Sequence, residues 1–477
     1  MNQKTLLLII AVFLSYNLWA QNKEIIATMD SQTAAHYKNS HPSEIDIVKT
    51  SNGISAVLLT EKMTQILRME SPVHGPQFMV AKSLQEASAV LNFSPKENQV
   101  QNFTITEPGL VYDFLDAVSQ THIENTILDL QNYGTRYHTK SQATQSVLDL
   151  KQKWDTMILA SSRTDISTRL VTHAGSPMPS LILTIEGNSE PSEYVIIGGH
   201  IDSISWNNDD APGADDNASG IASLTEIVRV LLENKYQPSK TVEVMAYAAE
   251  EIGLVGSAEI AADYKSNNVN VVSYLQLDMT GYNGSVEDVY ILDDWYSSSA
   301  LNQFLASLMD TYNSSGAHQF TYGFSQCGYA CSDHASWALN GYPASMPFEA
   351  KLGEDNPFIH TPDDLFSVIQ NGEHAVKFTK LGLQYIVEAA KGQKLNTSDF
   401  IQDKLTIYQR NHMLFYRFSG DDAIETIAMY DMNGRKIRTF GSVQEGFISI
   451  ENIQQGIYVV VFNTITSQQL MKKILIY

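Results

Sequence analysis

The chain has 477 residues, of which 43% are hydrophobic, so roughly two to four folded domains with sizeable cores are expected, and a disordered or collagen-like protein is excluded. Its 31 Lys and Arg residues against 53 Asp and Glu residues leave a net charge of −22, which repels phosphate backbones and argues against nucleic acid as a partner. Because Cys327 and Cys331 are the only cysteines, a disulfide-dense scaffold and a thiolate zinc finger are excluded, and any metal site depends on His, Asp and Glu.

The first 20 residues are typical of a secretory signal peptide. Met1 to Lys4 carries one positive charge, Thr5 to Leu14 is a nearly continuous apolar run, and Leu18-Trp19-Ala20 offers a small residue for cleavage. A membrane anchor is the alternative, but it needs about 20 apolar residues, and Ser15, Tyr16 and Asn17 interrupt the run. Since no later stretch approaches that length, we expect a protein outside the cytoplasm without stable membrane insertion, where a disulfide between the two cysteines can persist.

Residues 21–101 contain no cluster of chemically suggestive side chains and are predicted to form a separate small α+β unit. From Asn102 onward, apolar residues three and four positions apart predict helices near residues 110–115, 127–130 and 147–150. Beyond Ser180, short apolar runs that predict strands alternate with helical patterns, such as the apolar face from Ile221 to Leu232. The predicted strands are Leu181–Ile185, Tyr194–Ile197, Val242–Ala248, Val271–Leu277 and Val289–Leu292.

This alternation predicts an α/β domain over residues 102–391, with a mostly parallel central sheet flanked by helices. Ligand sites of such sheets lie at the carboxyl ends of the strands. The domain ends with a predicted helix over residues 373–390, which a polar linker at 392–398 follows. From residue 399 to residue 477, short strands surround turn signals such as Asn433-Gly434, which predicts a small C-terminal all-β sandwich domain.

Potential metal ligands stand where predicted strands give way to loops or where loops open helices. They are the imidazoles of His200 and His360 and the carboxylates of Asp202, Asp215, Asp216, Glu250, Glu251 and Asp278. Two imidazoles and three carboxylates would supply the five or six ligands that two divalent ions need when one carboxylate is shared.

Each ligand signal is weak alone, since an isolated His-x-Asp such as His200 and Asp202 is usually an ordinary polar turn. The pair Glu250-Glu251 directly follows an apolar strand, where unpaired charge is costly. A cation or a proton is therefore expected between these two carboxylates.

Residues from about 107 to 391 resemble the secreted co-catalytic zinc aminopeptidases of the bacterial leucyl aminopeptidase type. The resemblance rests on the order and approximate spacing of these potential ligands and on two longer stretches. These stretches are Gly213-Ala214-Asp215-Asp216-Asn217-Ala218-Ser219-Gly220 and Cys327-Gly328-Tyr329-Ala330-Cys331-Ser332-Asp333-His334-Ala335-Ser336-Trp337. The resemblance implies the zinc exopeptidase fold and two Zn²⁺ ions per chain, although the ligand set also tolerates manganese or cobalt.

Residue roles follow from the same resemblance. Asp216 would bridge the two ions, His200 and Asp278 would complete one, and Glu251 and His360 the other. Glu250 would be the general base that takes a proton from the water bridging the ions, and Asp202 would accept a hydrogen bond from the distal nitrogen of His200.

Further implied features lie around these residues. Tyr329, between the cysteines, would stabilise the oxyanion, and a cis peptide is expected at Asp216–Asn217. Asp333 and His334 belong to a helix that the family uses structurally, so they are not expected to bind metal.

The resemblance also places a substrate pocket beside the ions. Its candidate walls are Met279, Met346, Phe348 and Ile359, for which ordinary core packing is the alternative. Such walls favour a hydrophobic first residue, such as Leu, Met or Phe.

The flanking regions have looser resemblances. Residues 21–101 are similar to the propeptide of many of these enzymes, which would assist folding or block the site until proteolysis, with a permanent N-terminal domain as the alternative. Asp431-Met432-Asn433-Gly434-Arg435 and Gly456-Ile457-Tyr458-Val459-Val460-Val461 resemble the C-terminal sorting domain of type IX secretion substrates, although short β-sandwich modules also bind carbohydrates or surfaces. Release from the cell or attachment to its surface is therefore expected, with the secretion machinery as a partner.

The favoured hypothesis is a secreted, monomeric dizinc aminopeptidase that hydrolyses the first peptide bond of peptides with a free N-terminus. The alternative keeps the fold but changes the reaction, to glutaminyl cyclisation with one zinc ion or to hydrolysis of an acylated amino acid or dipeptide. A catalytically inactive receptor or adhesin is a third hypothesis, which the complete ligand set disfavours.

Overall fold

The computed structural model describes residues 24–69, 74–92, 103–395, 405–410, 412–418, 423–431, 435–440, 446–465 and 469–476. The predicted signal peptide and residues 396–398 of the predicted linker lie outside these ranges. The chain divides into two compact units, which meet between Gln393 and Lys394. Among the described helices, none is both long enough and apolar enough to cross a bilayer.

The N-terminal part of the first unit is an antiparallel sheet with three helices. Its elements are β1 (Ile25–Asp30), α1 (Ser31–Ser40), β2 (Ile45–Ser51), β3 (Ile54–Leu59), α2 (Glu61–Met69), β4 (Phe78–Val80) and α3 (Leu84–Val90). The strand order is β2-β3-β1-β4, and the buried side chains of Met29, Val57 and Phe78 belong to its core. The carboxylate of Asp30 accepts hydrogen bonds from the N–H groups of Gln32 and Thr33, which fixes the start of α1.

A six-stranded sheet forms the centre of the first unit. Its strands are β5 (Ile166–His173), β6 (Ser176–Ile185), β7 (Glu190–His200), β9 (Lys240–Tyr247), β10 (Asn270–Gln276) and β13 (Ala344–Ser345). The order is β13-β10-β7-β9-β6-β5, in which β13, β10, β7 and β9 run parallel and β6 and β5 are antiparallel to their neighbours. The sheet is therefore mixed, with its parallel strands side by side.

Helices cover both faces of this sheet. The helical segments in this part of the chain are α4 (Pro108–Leu115), α5 (Gln120–Gln131), α6 (Ser141–Ser161), a π-helical turn (Ala214–Ser219), α7 (Gly220–Glu233), α8 (Val255–Ser266), α9 (Ser299–Tyr312), a 3₁₀ turn (Gly316–His318), α10 (His334–Leu339), α11 (Phe366–Ile369) and α12 (Glu373–Ala390). Alternate residues of β7 point to opposite faces, so Ile197 packs with Ile227 of α7, whereas Ile196 packs with Trp337 of α10. Gly382 lets α12 approach closely, because a Cβ there would lie 2.5 Å from Ile227 Cδ1.

One predicted strand joins a different sheet. Val289–Leu292 forms β11, which pairs with β12 (Tyr322–Ser325) and β14 (Pro347–Phe348) and not with the central sheet. A further two-stranded sheet joins β8 (Tyr236–Pro238) to β15 (Gly392–Lys394).

The second unit contains two antiparallel sheets around a core of its own. The strands are β16 (Leu405–Arg410), β17 (Met413–Phe418), β18 (Ile424–Asp431), β19 (Lys436–Phe440), β20 (Phe447–Ser449), β21 (Gly456–Thr464) and β22 (Gln469–Ile476). The sheets are β16-β17-β20 and β19-β18-β21-β22, and Tyr416 of one contacts Phe462 of the other in the shared core. Strands β18 and β19 pair with Tyr430 opposite Lys436, while the predicted turn residues Asn433 and Gly434 lie outside the described residues.

Candidate metal centre

Three neighbouring parallel strands bring potential ligands to one edge of the central sheet. His200 is the last residue of β7, Glu250 and Glu251 follow β9, and Asp278 follows β10. The π-helical turn before α7 carries Asp216, and the loop between β14 and α11 carries His360. All are at most 2% exposed except His360, whose side chain is 10% exposed.

Asp216 lies between two groups of ligand atoms. Its Oδ1 is 3.0 Å from His200 Nε2, and its Oδ2 is 3.2 Å from His360 Nε2. On the first side, His200 Nε2 is also 3.1 Å from Asp278 Oδ1. On the second, His360 Nε2 is 3.3 Å from Glu251 Oε2. The five predicted ligands thus form two clusters that share the Asp216 carboxylate.

A sixth residue of this centre, His74, is not predicted from the sequence. His74, from the loop between α2 and β4, places its Nε2 at 3.2 Å from Asp278 Oδ2. The ligand atoms of His74, His200, Asp216 and Asp278 all lie within 4.8 Å of one another. A single histidine far from the other ligands in sequence offers no motif by which it could have been found.

The donor chemistry of the centre fits divalent cations. Both carboxylate oxygens of Asp216, one oxygen each of Glu250 and Glu251, and Nε2 of His360 are buried and make no hydrogen bond within the described chain. Buried polar atoms without partners are costly. Imidazole nitrogen and carboxylate oxygen at this spacing suit zinc and similar ions.

The electrostatics of the centre also favour a cation. Burial raises the pKa of Glu250 well above its ordinary value, and the adjacent Glu251 carboxylate adds to the rise. Burial lowers the pKa of His200, but the neighbouring Asp278 and Glu250 outweigh it and hold that pKa well above the ordinary value. Burial likewise lowers the pKa of His360, and Glu251 and Asp216 reverse the effect. Both shifts show that positive charge is stabilised here.

Asp202 has contacts that differ from the predicted ones. Nδ1 of His200 donates a hydrogen bond to the backbone carbonyl of Asp202 at 3.1 Å, whereas the Asp202 carboxylate is 3.6 Å away. That carboxylate accepts hydrogen bonds from the backbone N–H groups of Glu250 and Glu251, at 3.0 and 3.2 Å. Asp202 thus holds the two glutamates in place, and its carbonyl orients the His200 ring with Nε2 facing Asp216.

Two buried residues that the sequence analysis did not single out position the turn that carries Asp216. The Asp364 carboxylate accepts hydrogen bonds from the N–H groups of Asp215 and Asp216, each at 3.1 Å in its shorter contact. The guanidinium of Arg136 donates to the carbonyl oxygens of Ile201, Pro212 and Gly213, at 2.8, 2.6 and 2.8 Å. The backbone on both sides of the long loop between β7 and the turn is therefore fixed.

Tyr329 and the predicted pocket residues lie together beside the centre. Met279, Met346 and Phe348 are fully buried in one apolar cluster with the two cysteines, and Tyr329 and Ile359 pack against it. Burial holds the pKa of Tyr329 well above its ordinary value, so its phenol remains a hydrogen-bond donor. Cys327 and Cys331 form the predicted disulfide.

The Asp216–Asn217 peptide bond is cis, as expected from the family resemblance. Asp333 and His334 are buried near the centre, but neither of the two ligand clusters in the described part of the chain contains them.

A cavity of about 360 Å³ opens beside His360. Arg68, Ile204, Trp206 and Ile359 are among the residues that line it. The cavity therefore adjoins both the metal centre and one of the predicted pocket walls.

Two family models match separate parts of the chain. Residues 180–382 match peptidase family M28, and residues 402–477 match the secretion system C-terminal sorting domain. The first match contains all five predicted ligands. The second coincides with the two-sheet unit.

Relatives and solved structures match more than half of the chain. A protein of Arthroderma benhamiae described as "Probable leucine aminopeptidase" is 33% identical over 292 residues, which are 60% of this chain and 78% of that protein. A protein of Saccharomyces cerevisiae described as a probable aminopeptidase is 32% identical over 298 residues, 60% of this chain and 76% of its own. The crystal structure of LapB from Legionella pneumophila matches 77% of this chain and 100% of its own, with 27% identity and a TM-score of 0.68. That of the LapA aminopeptidase from the same organism matches 78% and 100%, with 26% identity and a TM-score of 0.67.

Proposed function

The chain belongs to peptidase family M28, and we propose that it is a secreted aminopeptidase that uses two zinc ions to remove a hydrophobic first residue from peptides. The observation that carries the proposal is the position of Asp216, whose two oxygens face two separate ligand clusters. One carboxylate between two sets of imidazole and carboxylate donors is the arrangement that a pair of ions requires.

Within this proposal, His200, Asp216 and Asp278 hold one ion, and Asp216, Glu251 and His360 hold the other. Bound there, the ions supply Lewis acidity that polarises the scissile carbonyl and makes water a better nucleophile near neutral pH.

Glu250 is the proposed general base. Its carboxylate is buried at the centre but belongs to neither ligand cluster, so it is free to exchange protons. It takes a proton from the attacking water and returns that proton to the leaving amine. Asp202 orients it through the Glu250 N–H group.

The same proposal assigns substrate contacts to the residues beside the centre. The Tyr329 phenol donates a hydrogen bond to the developing oxyanion. Met279, Met346, Phe348 and Ile359 enclose the side chain of the first residue, and an apolar pocket favours leucine and similar residues. The description of the Arthroderma benhamiae relative as a probable leucine aminopeptidase agrees with this preference.

Export completes the proposal. A signal peptide at residues 1–20 directs the chain out of the cytoplasm, and the sorting domain at residues 402–477 hands it to the secretion machinery. Residues 21–101 act as a propeptide, and the mature enzyme works as a monomer outside the cell or at its surface.

Hydrolysis of leucine p-nitroanilide and of its N-acetylated counterpart tests the proposal. The proteolytically processed protein is assayed as purified, after chelation, and after chelation followed by zinc. We expect cleavage of the free-amine substrate alone, loss of cleavage with chelator, and recovery with zinc. Cleavage of only the acetylated substrate, or of neither, would move the reaction to a deacylase, a cyclase or a non-enzymatic role. Metal analysis of the same sample checks for two equivalents of zinc.

A further inference from the structure

His74 enters the metal centre from outside the region that carries the other ligands. Its side chain is almost completely buried, and its Nε2 lies 3.2 Å from Asp278 Oδ2. Asp278 therefore faces His200 with one oxygen and His74 with the other. His74 stands where a fourth protein ligand of the first cluster would stand.

The backbone next to His74 lies on the side of the centre where the proposed substrate contacts are. The Tyr329 phenol donates a hydrogen bond to the His74 carbonyl oxygen. The imidazole of His74 packs beside the Phe348 ring, with 5.4 Å between the ring centroids. His74 thus contacts both Tyr329, the proposed oxyanion donor, and Phe348, a proposed pocket wall.

Gly75 shows how closely this segment fits. A Cβ atom on Gly75 would lie 2.2 Å from the carbonyl oxygen of Cys331, well inside van der Waals contact. Only glycine therefore lets the backbone approach the disulfide loop this closely.

The rest of the N-terminal part is anchored next to the catalytic residues. The N–H group of Val80 donates to the carbonyl oxygen of Gly253 at 3.0 Å, two residues after Glu251. Met79 packs in the buried cluster that contains Met245 and Leu254. Arg68 lines the cavity beside His360. These contacts hold His74 in the centre from both sides of its loop.

We propose that His74 is a fourth protein ligand of the metal ion held by His200, Asp216 and Asp278, and that this ligation is what holds residues 74–75 in the substrate site of the unprocessed chain. The proposal rests on the proposed function, because it requires the metal ions. It adds to that function a specific internal ligand that a substrate must displace.

Cobalt in place of zinc gives a readout of ligation that does not depend on activity. The chain from Gln21 to Tyr477 is titrated with Co²⁺, and its visible absorption is recorded for the parent and for two variants. His74→Ala removes the ligand, and Gly75→Ala forces the segment away from Cys331 while keeping the imidazole. We expect both variants to change the cobalt spectrum and to weaken binding of one Co²⁺ ion at least tenfold, because ligands and their supports contribute about 10–100-fold to metal affinity.

Each variant has a matched control in the same part of the chain. Gly53→Ala has the same backbone cost as Gly75→Ala, since φ is +79° at Gly53 and +77° at Gly75, but a Cβ at Gly53 meets no atom within 4 Å. His36→Ala removes an exposed histidine from α1. Both controls should keep the parent spectrum and affinity.

Binding of L-leucine hydroxamate to the zinc-loaded chain, measured by calorimetry, tests the blocked substrate site. If residues 74–75 fill the site for about 99% of the time, opening it raises the apparent affinity about 100-fold. We therefore expect His74→Ala and Gly75→Ala to bind the hydroxamate at least tenfold more tightly than the parent and the controls. Parent-like spectra and affinities in both variants would overturn the role of His74 and leave the proposed function intact. A parent chain that binds no Co²⁺ would overturn both.

Discussion

Glu250 and Glu251 are adjacent in the chain and equally buried, yet the structure gives their carboxylates different surroundings. Glu251 lies 3.3 Å from His360 Nε2 and belongs to a ligand cluster, whereas Glu250 belongs to none. The N–H groups of both residues are held by the same carboxylate, that of Asp202. The same substitution, Glu to Gln, at each of the two positions can therefore distinguish a general base from a metal ligand.

We predict that Glu250→Gln keeps its zinc but lowers kcat about 10²–10⁴-fold, the range that general bases contribute. Glu251→Gln should instead lose affinity for zinc, because an amide is a weaker ligand than a carboxylate. Metal analysis after dialysis, together with steady-state kinetics on leucine p-nitroanilide, distinguishes the two effects. A Glu250→Gln enzyme with parent-like turnover would show that another group removes the proton.

Asp216 is the residue on which the two-ion proposal depends, since each of its oxygens faces a different histidine. We predict that Asp216→Ala loses both zinc ions and all chelator-sensitive activity. Asp209→Ala, at an exposed position of the loop between β7 and the turn, is the control and should behave like the parent. Two equivalents of zinc in the Asp216→Ala protein would contradict the bridging role.

At the level of elements, the potential ligands come together because the parallel strands β7, β9 and β10 end at the same edge of the central sheet. The turn that carries Asp216 is hydrogen-bonded to the segment that follows β10. Asn217 donates to the Leu277 carbonyl oxygen and accepts from the Met279 N–H group, so the turn that carries Asp216 is bonded on both sides of Asp278. Asp364 holds the same turn from the opposite direction. The relative positions of the proposed ligands therefore depend on how these elements pack together.

We predict that Asp364→Ala weakens zinc binding at least tenfold although Asp364 contacts no metal. The substitution leaves the N–H groups of Asp215 and Asp216 without their acceptor, at a cost of about 1–3 kcal/mol for each buried group. Asp364→Asn keeps one acceptor oxygen but places an amide donor opposite the Asn356 amide, so it should recover part of the affinity, and Asp363→Ala, on an exposed neighbour, should have no effect. Zinc titration and urea unfolding of the metal-free proteins measure both consequences. Equal affinities in the Ala and Asn variants would exclude positioning through these hydrogen bonds.

The positions of the potential ligands at the carboxyl ends of β7, β9 and β10 can be predicted well from the sequence, because the patterns that mark strand ends are local. An apolar run followed by polar residues marks the ends of β7, β9 and β10, and the helical pattern marks α12 with its observed bounds, Glu373–Ala390. The assignment of Val289–Leu292 to a separate sheet was not predictable, because an apolar run of four residues specifies a strand but not its partners. His74 and Asp364 were missed for a related reason. Each acts through long-range packing, and neither stands in a pattern that local sequence could reveal.

At the scale of the whole molecule, the two units have separate hydrophobic cores, and every proposed metal ligand belongs to the first unit. Units with separate cores can unfold in separate transitions. Ligand binding raises the stability only of the unit that binds. Metal removal therefore reports which transition belongs to which unit.

We predict that calorimetry of the zinc-loaded chain shows two unfolding transitions, and that chelation of zinc lowers the midpoint temperature of only one of them. A free zinc concentration of 100 times the dissociation constant stabilises a one-site unit by about 2.7 kcal/mol. With an unfolding entropy of about 2.1 cal/mol/K per residue, a unit the size of Met1–Gln393 shifts by roughly 1.2 °C per kcal/mol, so each zinc site corresponds to a decrease of about 3 °C in the midpoint of the affected transition. In the Asp216→Ala protein the same transition should already lie at the lower temperature and should not respond to chelator, which assigns it to the first unit. A shift of both transitions would contradict the prediction, because it would mean that the sheets of the second unit depend on the metal centre for their stability.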